Sequence, residues 1–178
     1  MIEITGTKNR ELPAIFALYR TAFPWEERKP FSRITGMVKA GRADLWTIRK
    51  NGRFAGFAAT VNGSDIVLLD YFAVKKSLRG RGVGSGALKL LMERYRDRGL
   101  FVEIESTLEP CGNPEQRRKR KEFYVNCGMM PMNTEADVFG VRMELLGVRC
   151  RMDFESYRNF YRDHYSSWAA EHIREVQT

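Results

Sequence analysis

The chain is poor in the residues that metal and disulfide chemistry require. Its 178 residues include three cysteines, Cys111, Cys127 and Cys150, and two histidines, His164 and His172. The cysteines are odd in number, widely spaced and without a C-x-x-C pair. That argues against a disulfide framework or a zinc knuckle and fits a reducing cytoplasm. The histidines both fall near the C-terminus and are too far apart in sequence to share adjacent helical turns, so no metal site is expected. No apolar run approaches the ~18 residues of a membrane-spanning helix, so no membrane partner is expected. The opening "MIEITGTKNRE" lacks the basic-then-apolar order of a secretory signal.

Positive charge, by contrast, is in excess: 30 Lys and Arg against 22 Asp and Glu give a net charge of +8. Such a balance favours anionic partners, whether nucleic acid, a phosphorylated cofactor or an acidic surface, and says nothing about fold. The length suits one domain with a sizeable core.

Hydrophobic periodicity supplies the elements. "IEIT" reads as a short strand. In "NRELPAIFALYRTAF", Leu12, Ile15, Phe16, Tyr19 and Phe23 share one helix face, with Asn9 as the expected cap and Pro13 in the first turn. "PWEERKPF" interrupts, and a weaker helix is expected over "SRITGMVKAG". "DLWTIRK", "GRFAGFAATV" and "DIVLLDYFAV" read as three strands, joined by turns at Asn51-Gly52 and Asn62-Gly63 where both positions need positive φ. The third is almost continuously apolar, as a strand buried on both faces would be. A helix carrying Leu88, Leu91, Met92 and Tyr95 follows, with Gly99 as its expected end. "LFVEIES" is the next strand. "NPEQ" reads as a helix start with Asn113 as cap, Pro114 in the first turn and Gln116 closing a capping box. "DVFGVRMELLGVRC" gives one long strand or two. From Asp153 a final helix carries Phe154, Tyr157, Tyr161, Tyr165 and Trp168. Strand and helix order together argue for an α/β or α+β sheet with helices on both faces.

Between the apolar strand and the next helix lies "LRGRGVGSG". The Walker pattern is excluded because no lysine follows a glycine, and G-x-G-x-x-G fails at Ser85 and at Ala87. What fits is Arg79-x-x-Gly82-x-Gly84. Glycines let a ligand approach the backbone, and successive N–H groups at a helix start point at one place. With Arg79, Arg81, Lys75 and Lys76 nearby, the pieces make a diphosphate cradle.

"LLDYFAVKKSLRGRGVGSGALKLL" resembles the acetyl-coenzyme A signature of the GNAT acyltransferases, [QR]-x-x-G-x-[GA]. "EFYVNCGM" is similar to that family's F-Y-x-x-x-G-F segment, with Met129 in place of the final Phe. The resemblance covers roughly residues 2–148 in element order. It implies a mixed, mostly antiparallel central sheet over residues 1–150, with residues 151–178 as an added helical extension. It also implies that acetyl-coenzyme A is the cofactor, its pantetheine along Phe72, Ala73 and Val74. The pyrophosphate then falls on Arg79, Gly80, Arg81, Gly82, Val83, Gly84 and Ser85. By the same resemblance Tyr124 is a proton donor to the coenzyme A sulfur, or else an aromatic core residue beside Phe123, and Asn113 either bonds pantetheine or is simply a helix cap.

Acyl transfer to an amine also needs a group to take the amine's proton. Glu103 and Glu105 project from one face of their strand, roughly 7 Å apart. Asp70 sits in an apolar strand, where a carboxylate is costly unless satisfied. Asp70 and Glu103 are equal candidates for the base, with Glu105 behind them on the substrate side. "FPWEERKPF" offers Trp25, Glu26 and Glu27 to receive a cationic acceptor, or is a proline-bounded turn with exposed charges. "RRKRK", Arg117 to Lys121, wraps more than one helical turn without interleaved aromatics, as a solvated helix face does. The final aromatic stripe is a packing face or a dimer surface. The leading expectation is an N-acetyltransferase acting on a small-molecule or peptide amine. The alternative is a non-catalytic module on the same fold that holds nucleic acid or a protein through the basic surface.

Overall fold

A computed structural model describes residues 1–176, the Glu26 side chain excepted. The elements are β1 (Ile2–Gly6), α1 (Leu12–Ala22), α2 (Phe31–Lys39), β2 (Ala43–Lys50), β3 (Arg53–Asn62), β4 (Ile66–Val74), α3 (Val83–Arg94) and β5 (Gly99–Glu105). They continue with α4 (Pro114–Asn126), β6 (Met130–Val138), β7 (Val141–Val148), α5 (Phe154–His164), α6 (Ser167–Glu171) and β8 (Ile173–Glu175). The strands form an eight-stranded, mostly antiparallel mixed sheet in the order β1-β2-β3-β4-β5-β7-β6-β8, flanked by helices. Among the described residues no helix is long and apolar enough to cross a membrane. The chain divides into two compact units, Met1–Asn62 with Leu69–Tyr95, and Gly63–Leu68 with the chain from Arg96 onward.

In the first unit the reading of β4 as buried on both faces holds. Tyr71 and Ala73 pack with Leu45, Phe57, Ile15, Tyr19 and Ile34, which places α1 and α2 on one face. Val74 packs with Ile48, Ala55, Val83 and Ala87, which places α3 on the other. Each fully buried member such as Ile15 contributes roughly 1.5–3 kcal/mol by leaving water. Gly56 is required by proximity, since a Cβ there would lie 2.2 Å from the Ala73 carbonyl oxygen. The Asn51-Gly52 turn has both residues at positive φ, 51° and 74°, as a tight hairpin demands.

Several helix and turn boundaries differ from expectation. Asn9 is not a cap. It opens a 3-10 turn, Asn9–Glu11, in which the Glu11 carboxylate accepts from the Lys8 N–H at 2.8 Å, and α1 follows directly. At Asn62-Gly63 neither residue is left-handed. Gly63 is needed instead because a Cβ would lie 2.7 Å from the Ile66 carbonyl oxygen. The helix α3 ends at Arg94, and Gly99 begins β5 rather than closing the helix.

In the second unit β4 and β5 run parallel, from Ile66 opposite Gly99 to Leu68 opposite Phe101, where the pairing stops. The hairpin β6–β7 turns at Phe139 and Gly140, both left-handed at 53° and 86°. The expected strand over "DVFGVRMELLGVRC" is thus two, and β6 starts seven residues earlier, at Met130. The C-terminal helix is also interrupted. Asp153 caps α5 by accepting from the Ser156 N–H at 2.8 Å. Ser166 then caps α6 by accepting from the Ala169 N–H at 3.1 Å, and β8 adds a strand against β6. Trp168 therefore belongs to α6 and is 60% exposed rather than part of the packing stripe.

Candidate active site

The glycine segment builds its geometry from the helix start. Gly82 precedes α3 in the left-handed region, φ 72°, and Gly80 does the same at 69°. A Cβ at either would meet no atom within 4 Å, so the loop surface is open. The first helical bond runs from the Gly86 N–H to the Gly82 carbonyl at 3.0 Å. The N–H groups of Val83, Gly84 and Ser85 therefore precede any intrahelical acceptor. Among the described residues no side chain caps the helix start, and no acidic residue stands in the first turn. Arg81, Lys75 and Lys76 are exposed beside them, and Arg79 folds back so that its Nε donates to the Val74 carbonyl at 3.3 Å. Uncapped donors, the positive end of a helix and neighbouring cations fit a diphosphate.

On β4, just before Phe72, Ala73 and Val74, Asp70 has its carboxylate 10% exposed and its Oδ1 2.7 Å from the Lys29 Nζ. Two phenols fix the chain at Lys29. Tyr19 donates to the Lys29 carbonyl at 2.8 Å; Tyr71 accepts from the Lys29 N–H at 3.1 Å and donates to the Glu27 carbonyl at 3.0 Å. Burial pushes both phenols up from their ordinary pKa, so they stay neutral donors. The segment read as an acceptor wall is thus joined to β4. Trp25 is 72% exposed and Glu27 is exposed, while the Glu26 side chain lies outside the described residues. Lys29 was not foreseen. The signal was present: a carboxylate within an apolar strand demands a cation, and "ERKP" offers one in the segment already under suspicion.

The second unit holds the other expected residues. Glu103 accepts from the Tyr157 hydroxyl at 2.7 Å and the Tyr161 hydroxyl at 3.0 Å, both from α5. Glu105, on the same strand, pairs with Arg117 at 2.8 Å and Arg120 at 3.1 Å, both from α4. The expected capping box at Asn113 is absent: the side chain makes no cap bond, and its Oδ1 accepts from the Arg117 Nε at 3.2 Å. Pro114 does open α4. Tyr124 is 7% exposed, and burial pushes its hydroxyl up to about 12, against a smaller opposing pull from Arg120. Among the described residues its hydroxyl makes no hydrogen bond. Of the adjacent aromatics, Tyr124 is the buried one and Phe123 only half-buried, their rings 5.1 Å apart.

Each residue of the basic run on α4 has a carboxylate partner, on α4 itself or on β5 and β7. Besides Arg117 and Arg120, Lys121 pairs with Glu144, Arg118 with Glu122 at 3.5 Å and Lys119 with Glu115 at 2.7 Å. Among the described residues no group of three or more His, Cys, Asp or Glu could hold a metal ion.

A mixed sheet with an uncapped helix start directly after its β4 strand defines a class of fold, and comparison with known proteins gives it a name. The acetyltransferase (GNAT) family model matches residues 12–128, and the chain belongs to that family. No curated protein matches by sequence. Among solved structures, a GNAT-family protein from Bacteroides thetaiotaomicron aligns with TM-score 0.75 and 17% identity, covering 91% of this chain and 98% of that one. The ribosomal-protein-S18-alanine N-acetyltransferase from Escherichia coli aligns with TM-score 0.60 and 17% identity, covering 85% and 96%. The spermidine N-acetyltransferase from Vibrio cholerae, solved with CoA and spermine, aligns with TM-score 0.66 and 8% identity, covering 83% and 94%. At these identities the likeness is one of fold.

Proposed function

We propose that the protein is an N-acetyltransferase that moves an acetyl group from acetyl-coenzyme A directly to a primary amine. The observation that carries this reading is the uncapped start of α3, with three N–H donors, open glycines and exposed cations in one place. When bound, the cofactor supplies an activated acetyl thioester. Residues Arg79, Gly80, Arg81, Gly82, Val83, Gly84 and Ser85 hold its diphosphate, and the backbone of Phe72, Ala73 and Val74 lines its pantetheine arm. Asn113 adds a side-chain amide to that arm.

Asp70 is the preferred acceptor of the amine's proton. Glu103 receives phenolic hydrogen bonds on both oxygens and Glu105 guanidinium bonds on both, whereas Asp70 is paired with Lys29 through Oδ1. Trp25 and Glu27 are the residues of this segment assigned to the acceptor, and Glu105 remains a second candidate carboxylate for it. Tyr124 donates to the leaving sulfur. Burial pushes its hydroxyl up to about 12, above an ordinary thiol near ~8.5, so full proton transfer to the sulfur is uphill. The hydroxyl therefore acts chiefly by hydrogen-bond donation, drawing on the Arg120 charge for any further transfer.

Compensation of every basic residue in the α4 run supports an enzyme over a nucleic-acid-binding module, because paired cations offer little to a phosphate backbone. The three cysteines are free, which suits a reducing cytoplasm. The test is an acceptor screen with acetyl-coenzyme A, following release of free thiol. An alkylamine, polyamine or peptide amine should give turnover that Gly82→Asp removes. Absence of turnover across all three classes counts against the reading.

A further inference from the structure

The cation that satisfies Asp70 is itself a primary alkylammonium, the chemical class the reading above assigns to the acceptor. Its ammonium lies 2.7 Å from Asp70 and 5.6 Å from the centroid of the Tyr71 ring. The Lys29 side chain is 26% exposed, whereas Lys76, nearby in the sequence of the cradle, is exposed, and Lys75 is exposed with its ammonium 5.0 Å from the Phe54 ring centroid. Its backbone is tied on both sides, by the Tyr19 and Tyr71 hydroxyls. This is a fixed lysine rather than a wandering surface one. Asp70 and Phe72 are two residues apart on one strand, about 7 Å along it, so the amine stands close along β4 to the stretch given above to the pantetheine arm, at whose end the thioester is carried.

We propose that Lys29 occupies the acceptor's place on Asp70 and is itself acetylated, within one molecule, when no external amine displaces it. The inference rests on the acetyltransferase reading. The Lys29 ammonium passes one proton to Asp70 and on to water. The Nζ lone pair then forms an N–C bond to the acetyl carbonyl carbon. The C–S bond breaks with its electron pair on sulfur, which takes up a proton, and the amide nitrogen gives its surplus proton to water. The products are N-acetyl-Lys29 and the free thiol, with one proton released overall. Acetylation removes the Lys29 charge, and Asp70 is then left to external ammonium groups.

The full chain is incubated with acetyl-coenzyme A and no acceptor, and peptide masses are mapped over time. Lys29 should gain one acetyl group, at a rate independent of protein concentration and at least about tenfold faster than Lys75 or Lys76. Excess n-butylamine should slow it at least about tenfold by competition, and Asp70→Asn should slow it to a similar degree. A second readout uses the cofactor-free protein and an amine-reactive acetylating reagent. There Lys29 should be about tenfold protected relative to Lys76, and Asp70→Asn or added n-butylamine should remove that protection. An unmodified Lys29 in a sample that acetylates n-butylamine overturns the inference and leaves the enzyme reading standing. Modification at the rate of Lys75, or at a rate rising with protein concentration, overturns it too. Failure to bind acetyl-coenzyme A, or absence of turnover with alkylamine, polyamine and peptide amine alike, with Lys29 unmodified, overturns both.

Discussion

The ring of Tyr124 is buried, and its hydroxyl bonds to no described residue, which leaves it available as a donor. Replacing it with Phe keeps the ring and removes the donor. Tyr124→Phe is expected to lower kcat about 10²-fold while leaving cofactor affinity nearly unchanged, which steady-state kinetics with calorimetry can check. Because burial holds its pKa near 12, the phenol stays protonated throughout the working range. The kcat profile should therefore show no alkaline limb from Tyr124 below about pH 10. A limb near pH 8 that disappears in Tyr124→Phe would contradict the assignment. The position of Tyr124 was legible because "EFYVNCG" fixes it on a helix. The partners of the carboxylates were not, since Tyr157, Tyr161, Arg117 and Arg120 reach Glu103 and Glu105 across the tertiary structure. Asp70 lies between these cases: its need for a cation could be read from the apolar strand, the identity of Lys29 could not.

Helix α4, which carries Tyr124, is held to its strands by charge more than by an apolar stripe. Glu144 on β7 is 7% exposed and accepts from the Thr107 N–H at 2.5 Å, the Thr107 hydroxyl at 2.6 Å and Lys121. Burial raises its pKa, but these hydrogen bonds outweigh burial and hold the carboxyl below its ordinary value. A depressed pKa means the stabilisation is present above the unfolded carboxylate value, about 4.3, and is lost as pH falls through the lower folded value. Glu144→Gln is expected to cost about 2 kcal/mol in chemical denaturation at pH 7 and to flatten the acid dependence of stability. An unchanged midpoint at pH 7 would remove Glu144 from this role. Strand and helix identities were readable from periodicity, but several ends were not. Gly99 sits after α3 as a cap would, yet β5 recruits it; Asn113 precedes a proline as a cap would, yet Arg117 takes its side chain. In both cases a tertiary partner outbid a local signal.

Over the whole molecule, five of the seven tyrosines, Tyr19, Tyr71, Tyr95, Tyr124 and Tyr157, have hydroxyls pushed up, in each case first by burial. Raised folded values mean stability is intact below the ordinary phenol pKa near 10 and declines above it as unfolding releases those protons. A spectrophotometric titration should show most of the phenolate signal appearing only with unfolding, above about pH 10. Reversible ionisation of all the tyrosines in a folded chain near pH 10 would contradict the packing described. At this scale the sequence announced the mixed sheet and the strand–loop–helix cradle through local pattern. It hid the β8 strand, three residues long, because so short a segment carries no periodicity. The central claim, that the start of α3 is built for the diphosphate of coenzyme A, is tested most directly by calorimetric titration with acetyl-coenzyme A. Gly82 stands at φ 72°, where a side chain is strained, and an aspartate there adds negative charge beside the uncapped N–H groups. The wild-type chain and Tyr124→Phe should bind alike, and Gly82→Asp should show no binding. No heat from the wild type at millimolar cofactor, or equal binding by Gly82→Asp, would contradict the account.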